Sequence, residues 1–223
     1  MTITPTSLVG EVAVAQPLAT RVFARHQIDF CCGGGRPLDE VCRTKGLDVN
    51  QVLDEIRQET APSDAGTERW DSAPTRLLID HILERYHTSL REELPRLEAM
   101  ARKVVRVHGD KDPERLEALL SIYLELKEEL EGHMVKEEAI LFPMILRGQQ
   151  IHPNGPVSVM LREHDDAGRA LRELRILTND YTVPAEACNT WRALWHGLAA
   201  LETDLHEHIH LENNILFPRA LAA

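Results

Sequence analysis

His133-Met134-Val135-Lys136-Glu137-Glu138-Ala139-Ile140-Leu141-Phe142-Pro143 returns further along the chain as His208-Ile209-His210-Leu211-Glu212-Asn213-Asn214-Ile215-Leu216-Phe217-Pro218. In each copy a His and a Glu stand four residues apart, an aliphatic pair follows, and Phe-Pro closes the phrase. On a helix that spacing puts imidazole and carboxylate one turn apart on the same face, where both reach a common ligand. Two such pairs on two helices are the makings of a metal site inside a bundle.

The surrounding periodicity supplies the helices. Four long helical patterns begin near Pro74, Pro113 (behind Asp112 as cap), Pro156 and Pro184, residues suited to a first helical turn. They run over about 75–107, 113–147, 156–179 and 184–220. Short connections between helices of similar length make antiparallel neighbours, so the fold expected is all-α, an up-down-up-down four-helix bundle. Before it, residues 1–60 form a small helical domain, with a short helix around Arg21–Gln27, a Cys-Cys-Gly-Gly turn and a further helix over Val49–Thr60. The small, polar, aperiodic stretch at 61–73 reads as a linker to a bundle domain over 74–223.

The inward stripes locate the ligands. Leu119, Leu126, Leu130, His133, Glu137, Leu141 and Met144 line the second helix, and Leu194, Leu198, Leu201, Leu205, His208, Glu212 and Ile215 line the fourth. The first carries Leu83, His87, Leu90 and Leu94, and the third Val157, Leu161, His164, Ala167, Leu171 and Leu174. Each half of the bundle thus offers one inward His and one inward His-x-x-x-Glu. Taken singly, a His–Glu pair at this spacing is an ordinary surface ion pair worth ~0.3–0.5 kcal/mol. Four imidazoles and two carboxylates converging in an apolar interior are different, because such buried charge needs cations to compensate it. Nitrogen-rich ligation with two carboxylates able to bridge suits two iron ions with oxo or hydroxo bridging, with manganese as the second choice, better than zinc, calcium or magnesium. His206 and His210 turn away from the ligand face, His81 lies off the ligand line, and His26, His152 and His196 read as structural or solvated. Glu138 faces elsewhere, and His108 is an alternative ligand or a group behind one.

Composition narrows the function classes. The 223 residues carry 25 Lys+Arg against 36 Asp+Glu, a formal charge of −11, with aromatics at 4%. An acidic chain without a basic block does not suit nucleic acid. No apolar run approaches the roughly 20 residues of a membrane span. The first residues lack a basic region followed by an apolar block, and four Cys (Cys31, Cys32, Cys42, Cys188) make no disulfide framework. A reducing cytoplasm is the compartment expected.

Asp29-Phe30-Cys31-Cys32-Gly33-Gly34 ahead of such a bundle, with Glu163-His164-Asp165 and the Leu211–Pro218 phrase within it, resembles the Repair of Iron Centres family, whose bundle is hemerythrin-like. The resemblance covers about residues 8–220. It implies a stress-response protein that restores iron–sulfur clusters damaged by nitric oxide or peroxide, with iron on His87, His133, Glu137, His164, His208 and Glu212. Its partners would be iron–sulfur proteins as clients and nitric oxide or oxygen as small ligands, with a homodimer left open. The open iron positions equally serve a nitric oxide sensor or scavenger, or an enzyme reducing nitric oxide. A separate cysteine domain favours repair by iron supply, which is not turnover catalysis. Cys31 and Cys32 are the candidate acting residues of that domain. They sit in a Gly-rich loop whose N–H groups are placed to approach a sulfur and lower its pKa. Cys42 and Cys188 read as packing residues.

Overall fold

The computed structural model describes residues 3–60 and 69–222, so most of the expected linker, 61–68, lies outside the described residues. Among the described residues every regular element is helical. The described residues form two compact units, one from those up to 78 together with 206–222 and one from 79–205.

In the first unit, α1 (Val9–Ala15), α2 (Ala19–Arg25), α3 (Leu38–Lys45) and α4 (Val49–Glu59) enclose a core of Val9, Val12, Val22, Phe23, Phe30, Leu38, Leu53 and Ile56. Helix α2 and helix α4 meet the expected short helix and the expected helix over Val49–Thr60 to within two residues. Helices α1 and α3 are additions that the sequence pattern did not announce. Asp48 caps α4 by accepting from Asn50 N at 2.8 Å. Gly46, left-handed at φ 68°, ends α3, a conformation that disfavours any side chain.

The long helices follow as α5 (Thr75–His81), α6 (Thr88–His108), α7 (Pro113–Lys136), α8 (Phe142–Leu146), α9 (Pro156–Leu177), α10 (Asn189–Leu211) and α11 (Phe217–Ala222). Three π-helical turns join them: Ile82–His87 between α5 and α6, Glu137–Leu141 between α7 and α8, and Glu212–Leu216 between α10 and α11. The four long stretches of the bundle are therefore present, and α7 packs along both α6 and α9. Pro113 and Pro156 open their helices, but Asp112 makes no side-chain cap and instead pairs with Arg115 at 2.7 Å. Pro184 does not start the fourth helix. Asn179, Asp180 and Tyr181 all take left-handed φ values of 50°, 56° and 54°, reversing the chain, and α10 begins only at Asn189.

The second unit's core runs through Leu94, Leu97, Tyr123, Leu126, Leu171, Leu174, Trp191 and Trp195. The expected stripes are buried except at Leu83 and Met144, which are half-buried, and Leu161, which is exposed. Met160, one position earlier, takes the place of Leu161 in the core.

The two Phe-Pro steps explain the matching π turns. Pro143 and Pro218 have no N–H to give the carbonyl four residues back. Helical bonding slips by one residue instead, and the N–H of Phe142 reaches Glu137 O while that of Phe217 reaches Glu212 O. Where no proline is near, Thr88 performs the slip, its N–H and hydroxyl both reaching Leu83 O. Each π turn begins or ends on one of the predicted ligands: His87, Glu137 or Glu212.

Candidate metal centre

His87, His133, Glu137, His164, His208 and Glu212 are all buried. Within the second unit His87 Nε2 stands 3.4 Å and His133 Nε2 3.2 Å from the Glu137 carboxylate, and His133 Nε2 meets His164 Nε2 at 3.0 Å. In the C-terminal phrase His208 Nε2 lies 3.2 Å from Glu212. In the second unit His133, Glu137 and His164 each offer one ligand atom within 4.8 Å of the others, and His87 offers its Nε2 to the same Glu137; in the first unit His208 and Glu212 offer a further pair. The remaining candidate, His108, joins neither.

The donor set fits cations. Glu137 is fully enclosed, and neither of its oxygens has a hydrogen-bond partner. An enclosed carboxylate left that way would cost several kcal/mol. The imidazoles facing it make no hydrogen bond to it, and each engages a second carboxylate on its far side. His87 Nδ1 donates to Glu138 at 2.7 Å, and His133 Nδ1 donates to Glu163 at 2.9 Å. That leaves each Nε2 as a lone pair aimed inward at the carboxylate, an arrangement that a metal ion satisfies.

Glu138 and Glu163 are the residues that sequence reasoning missed. Glu138 faces away from the ligand line of its own helix, as expected, but reaches the His87 imidazole of another stretch and is held by Arg91. Glu163, the residue before His164, is held by Lys136. Burial raises the pKa of both carboxyls, but the hydrogen bonds from His87 and Arg91, and from Lys136 and His133, outweigh it and keep them below the usual range. For Glu163 the immediate vicinity of a ligand His was a readable signal. For Glu138 none existed.

The cysteine turn is arranged differently from expectation. The N–H groups of Cys31 and Cys32 donate to Asp29 Oδ1, at 3.2 and 2.9 Å, and not to a sulfur. Cys31 Sγ lies 3.6 Å from Cys32 Sγ and 3.3 Å from Asp29 Oδ1. The Cys32 thiol, then burial, and then the Asp29 charge push the Cys31 pKa well above its ordinary value, where lowering was expected.

Cys188 corrects a second expectation. It is exposed, not packed, and stands just before the first turn of α10. The N–H of Trp191, and then His108 with Nε2 at 3.3 Å, lower its pKa to about 7. Cys42 packs in the first core. Of the four thiols Cys188 should therefore alkylate fastest, with a rate that rises through about pH 7 as thiolate forms. Cys188→Ser should remove the fast phase, and four thiols reacting alike would contradict this. His206 and His210 point to neither group; their rings pack against Phe30, with centroids 6.1 and 5.5 Å away.

The hemerythrin HHE cation binding domain matches residues 78–220, and a domain of unknown function (DUF542) matches residues 6–60. The whole chain is similar to the iron-sulfur cluster repair protein YtfE of Musicola paradisiaca (strain Ech703), 47% identical over 214 residues covering 95% of each. It is also similar to the protein of that name from Yersinia pseudotuberculosis serotype O:1b, 49% identical over 215 residues, again 95% of each. The chain belongs to the Repair of Iron Centres family. Membership brings the hemerythrin-type cation-binding bundle and the appended cysteine-bearing domain together in one chain, as the sequence resemblance implied. No described helix is long and apolar enough to cross a membrane.

Proposed function

We propose that this protein repairs iron–sulfur clusters damaged by nitrosative or oxidative stress, holding two iron ions on His87, His133, Glu137, His164, His208 and Glu212. The observation that carries the reading is the enclosed Glu137 carboxylate, neither oxygen hydrogen-bonded, with the imidazoles of His87, His133 and His164 gathered about it. The similarity to iron-sulfur cluster repair proteins over 95% of the chain supports it. Iron bound there would supply redox chemistry and a store of metal for a client's cluster. The chain's own groups do the rest. Glu138 and Glu163 accept from Nδ1 of His87 and His133 and so turn each Nε2 inward, and burial of the ligands excludes water. Cys31 and Cys32 take part in passing iron to or from the centre, in a reducing cytoplasm that keeps them as thiols.

Iron analysis of anaerobically purified protein tests the first part, with about two irons per chain expected from a paired-carboxylate bundle site. One zinc, or no metal, would overturn it. For the cysteines, the double variant Cys31→Ser, Cys32→Ser should keep the iron content and lose restoration of a nitric-oxide-damaged cluster enzyme. Undiminished restoration would remove the thiols from the reading. Sustained nitrous oxide production with an electron donor would instead favour nitric oxide reduction.

A further inference from the structure

Outside the His/Glu centre, one other group of metal-ligating side chains converges among the described residues: Asp29, Cys31 and Cys32, with one donor atom from each within 4.8 Å of the others. Its dimensions are informative. Two thiolates on one cation at about 2.3 Å, along tetrahedral directions, stand about 3.8 Å apart, and a thiolate and a carboxylate oxygen about 3.5 Å. The observed separations are 3.6 Å between the sulfurs and 3.3 Å from Cys31 Sγ to Asp29 Oδ1. A disulfide would need the sulfurs at about 2.05 Å. Two of the three edges thus have the lengths a tetrahedral cation requires, and the third, from Cys32 to Asp29, is within 4.8 Å, so a cation fits with small movements. A fourth corner is left for an incoming ligand.

The loop is also seated where such a cation would matter. Asn213 and Asn214 directly follow Glu212 in its π turn. Asn213 Nδ2 donates to Cys31 O at 3.2 Å, and Asn214 Nδ2 donates to Phe30 O at 3.1 Å and to His210 Nδ1 at 3.0 Å. The fit depends on missing side chains. A Cβ on Gly10 would come within 2.6 Å of Asn214 Oδ1, and one on Gly34 within 2.7 Å of Phe30 O and 3.0 Å of Gly10 Cα. In the first copy of the repeated phrase Glu138 and Ala139 occupy the positions of Asn213 and Asn214. The second copy alone therefore carries the amides that hang the cysteine turn on a ligand-bearing helical turn.

We propose that Asp29, Cys31 and Cys32 form a second, mononuclear metal site for a thiophilic divalent cation of the first transition row, the class to which ferrous iron belongs. Binding forms two metal–sulfur bonds and one metal–oxygen bond and releases the two thiol protons to solvent; nothing is oxidised or reduced. The site deepens the passage of iron proposed for the thiol pair and rests on that reading for its purpose, but not for its test. Asn213 and Asn214 act as positioning residues that fix the site beside Glu212.

The probe is cobalt(II), added anaerobically to the iron-loaded full-length protein. The His/Glu centre holds no sulfur, so a near-ultraviolet thiolate-to-cobalt charge-transfer band reports cysteine ligation alone. One equivalent should give the band. Cys31→Ser with Cys32→Ser should abolish it. Asp29→Asn, which retains an oxygen for the two loop amides, should weaken cobalt binding at least tenfold. Asn213→Ala with Asn214→Ala should weaken it while leaving the bound iron in place. No band in the unmodified protein, or a band that survives both serine substitutions, would overturn the site. Unchanged affinity in Asp29→Asn would overturn the three-residue assignment. A site intact by these measures in a variant that fails to repair clusters would count against iron passage and not against the site.

Discussion

Replacing Glu137 by glutamine is expected to move the metal-free and metal-loaded proteins in opposite directions. Without metal, Glu137 is an enclosed carboxylate with no donor on either oxygen, facing imidazole nitrogens whose protons point elsewhere. A neutral amide removes that charge, and its NH2 can donate toward His133 Nε2 or His87 Nε2. An unpaired amide costs about 1–3 kcal/mol, less than a stranded ion. The metal-free variant should therefore melt at or above the unaltered chain. Loaded with iron, the order reverses. A ligand present at a thousandfold its Kd stabilises by about 4 kcal/mol. For a chain of this size that is a rise in Tm on the order of 10 °C. Glu137 faces both His87 and His133 and lies in one ligand group with His164, so its loss removes the carboxylate these imidazoles share, and most of that rise should disappear. Calorimetry with and without iron, alongside iron content, checks it. A variant that keeps its full iron and its full metal-dependent rise would make Glu137 a packing residue.

The ligand line was legible because His and Glu break stripes that are otherwise aliphatic, and four such breaks at helical spacing leave few alternatives. The same arithmetic could not see what one helix does to another. Glu138 was set aside because it faces away from its own helix's stripe, and its partner, His87, lies on another stretch altogether. The pairing of His108 with Cys188 is equally a tertiary event, joining positions that no local pattern connects. The π turns show a subtler limit. Pro143 and Pro218 were visible, but a proline in a helical pattern is compatible with a kink, a stop or a slipped bond. The slip leaves the His-x-x-x-Glu spacing intact because it begins at the Glu, so the ligand assignment did not depend on foreseeing it.

The N-terminal domain was less readable for a different reason. Its helices are seven to eleven residues long, too short to declare a period, and its central turn is organised by one side chain. Asp29 takes the amides of Cys31 and Cys32, which glycine content alone had assigned to sulfur. Short polar residues commonly capture backbone N–H groups in this way, so the Asp before Phe-Cys-Cys was the signal that composition obscured.

Glu138→Gln and Glu163→Gln are each expected to weaken metal binding by about 10–100-fold, although neither residue belongs to the ligand groups. The reason is the proton each holds in place. A carboxylate on His87 Nδ1 or His133 Nδ1 accepts and never donates, so that nitrogen keeps its proton and Nε2 is the nitrogen that ligates. A glutamine can turn its NH2 toward Nδ1, and the imidazole proton then moves to Nε2, where it competes with the metal. The neighbouring cations give the control. Arg91 and Lys136 hold the same carboxylates but are themselves half exposed, and ion pairs of that kind are worth about 0–1 kcal/mol. Arg91→Ala should therefore cost no more than a fewfold in affinity. Chelator competition on the iron-loaded variants measures the ordering, and melting of the metal-free forms should show little change. If Arg91→Ala weakens binding as much as Glu138→Gln, then local charge and not proton placement governs the centre. If proton placement governs it, each glutamine variant should also surrender iron to a chelator faster than the unaltered protein, since a weaker lone pair shortens the residence of the metal rather than slowing its entry.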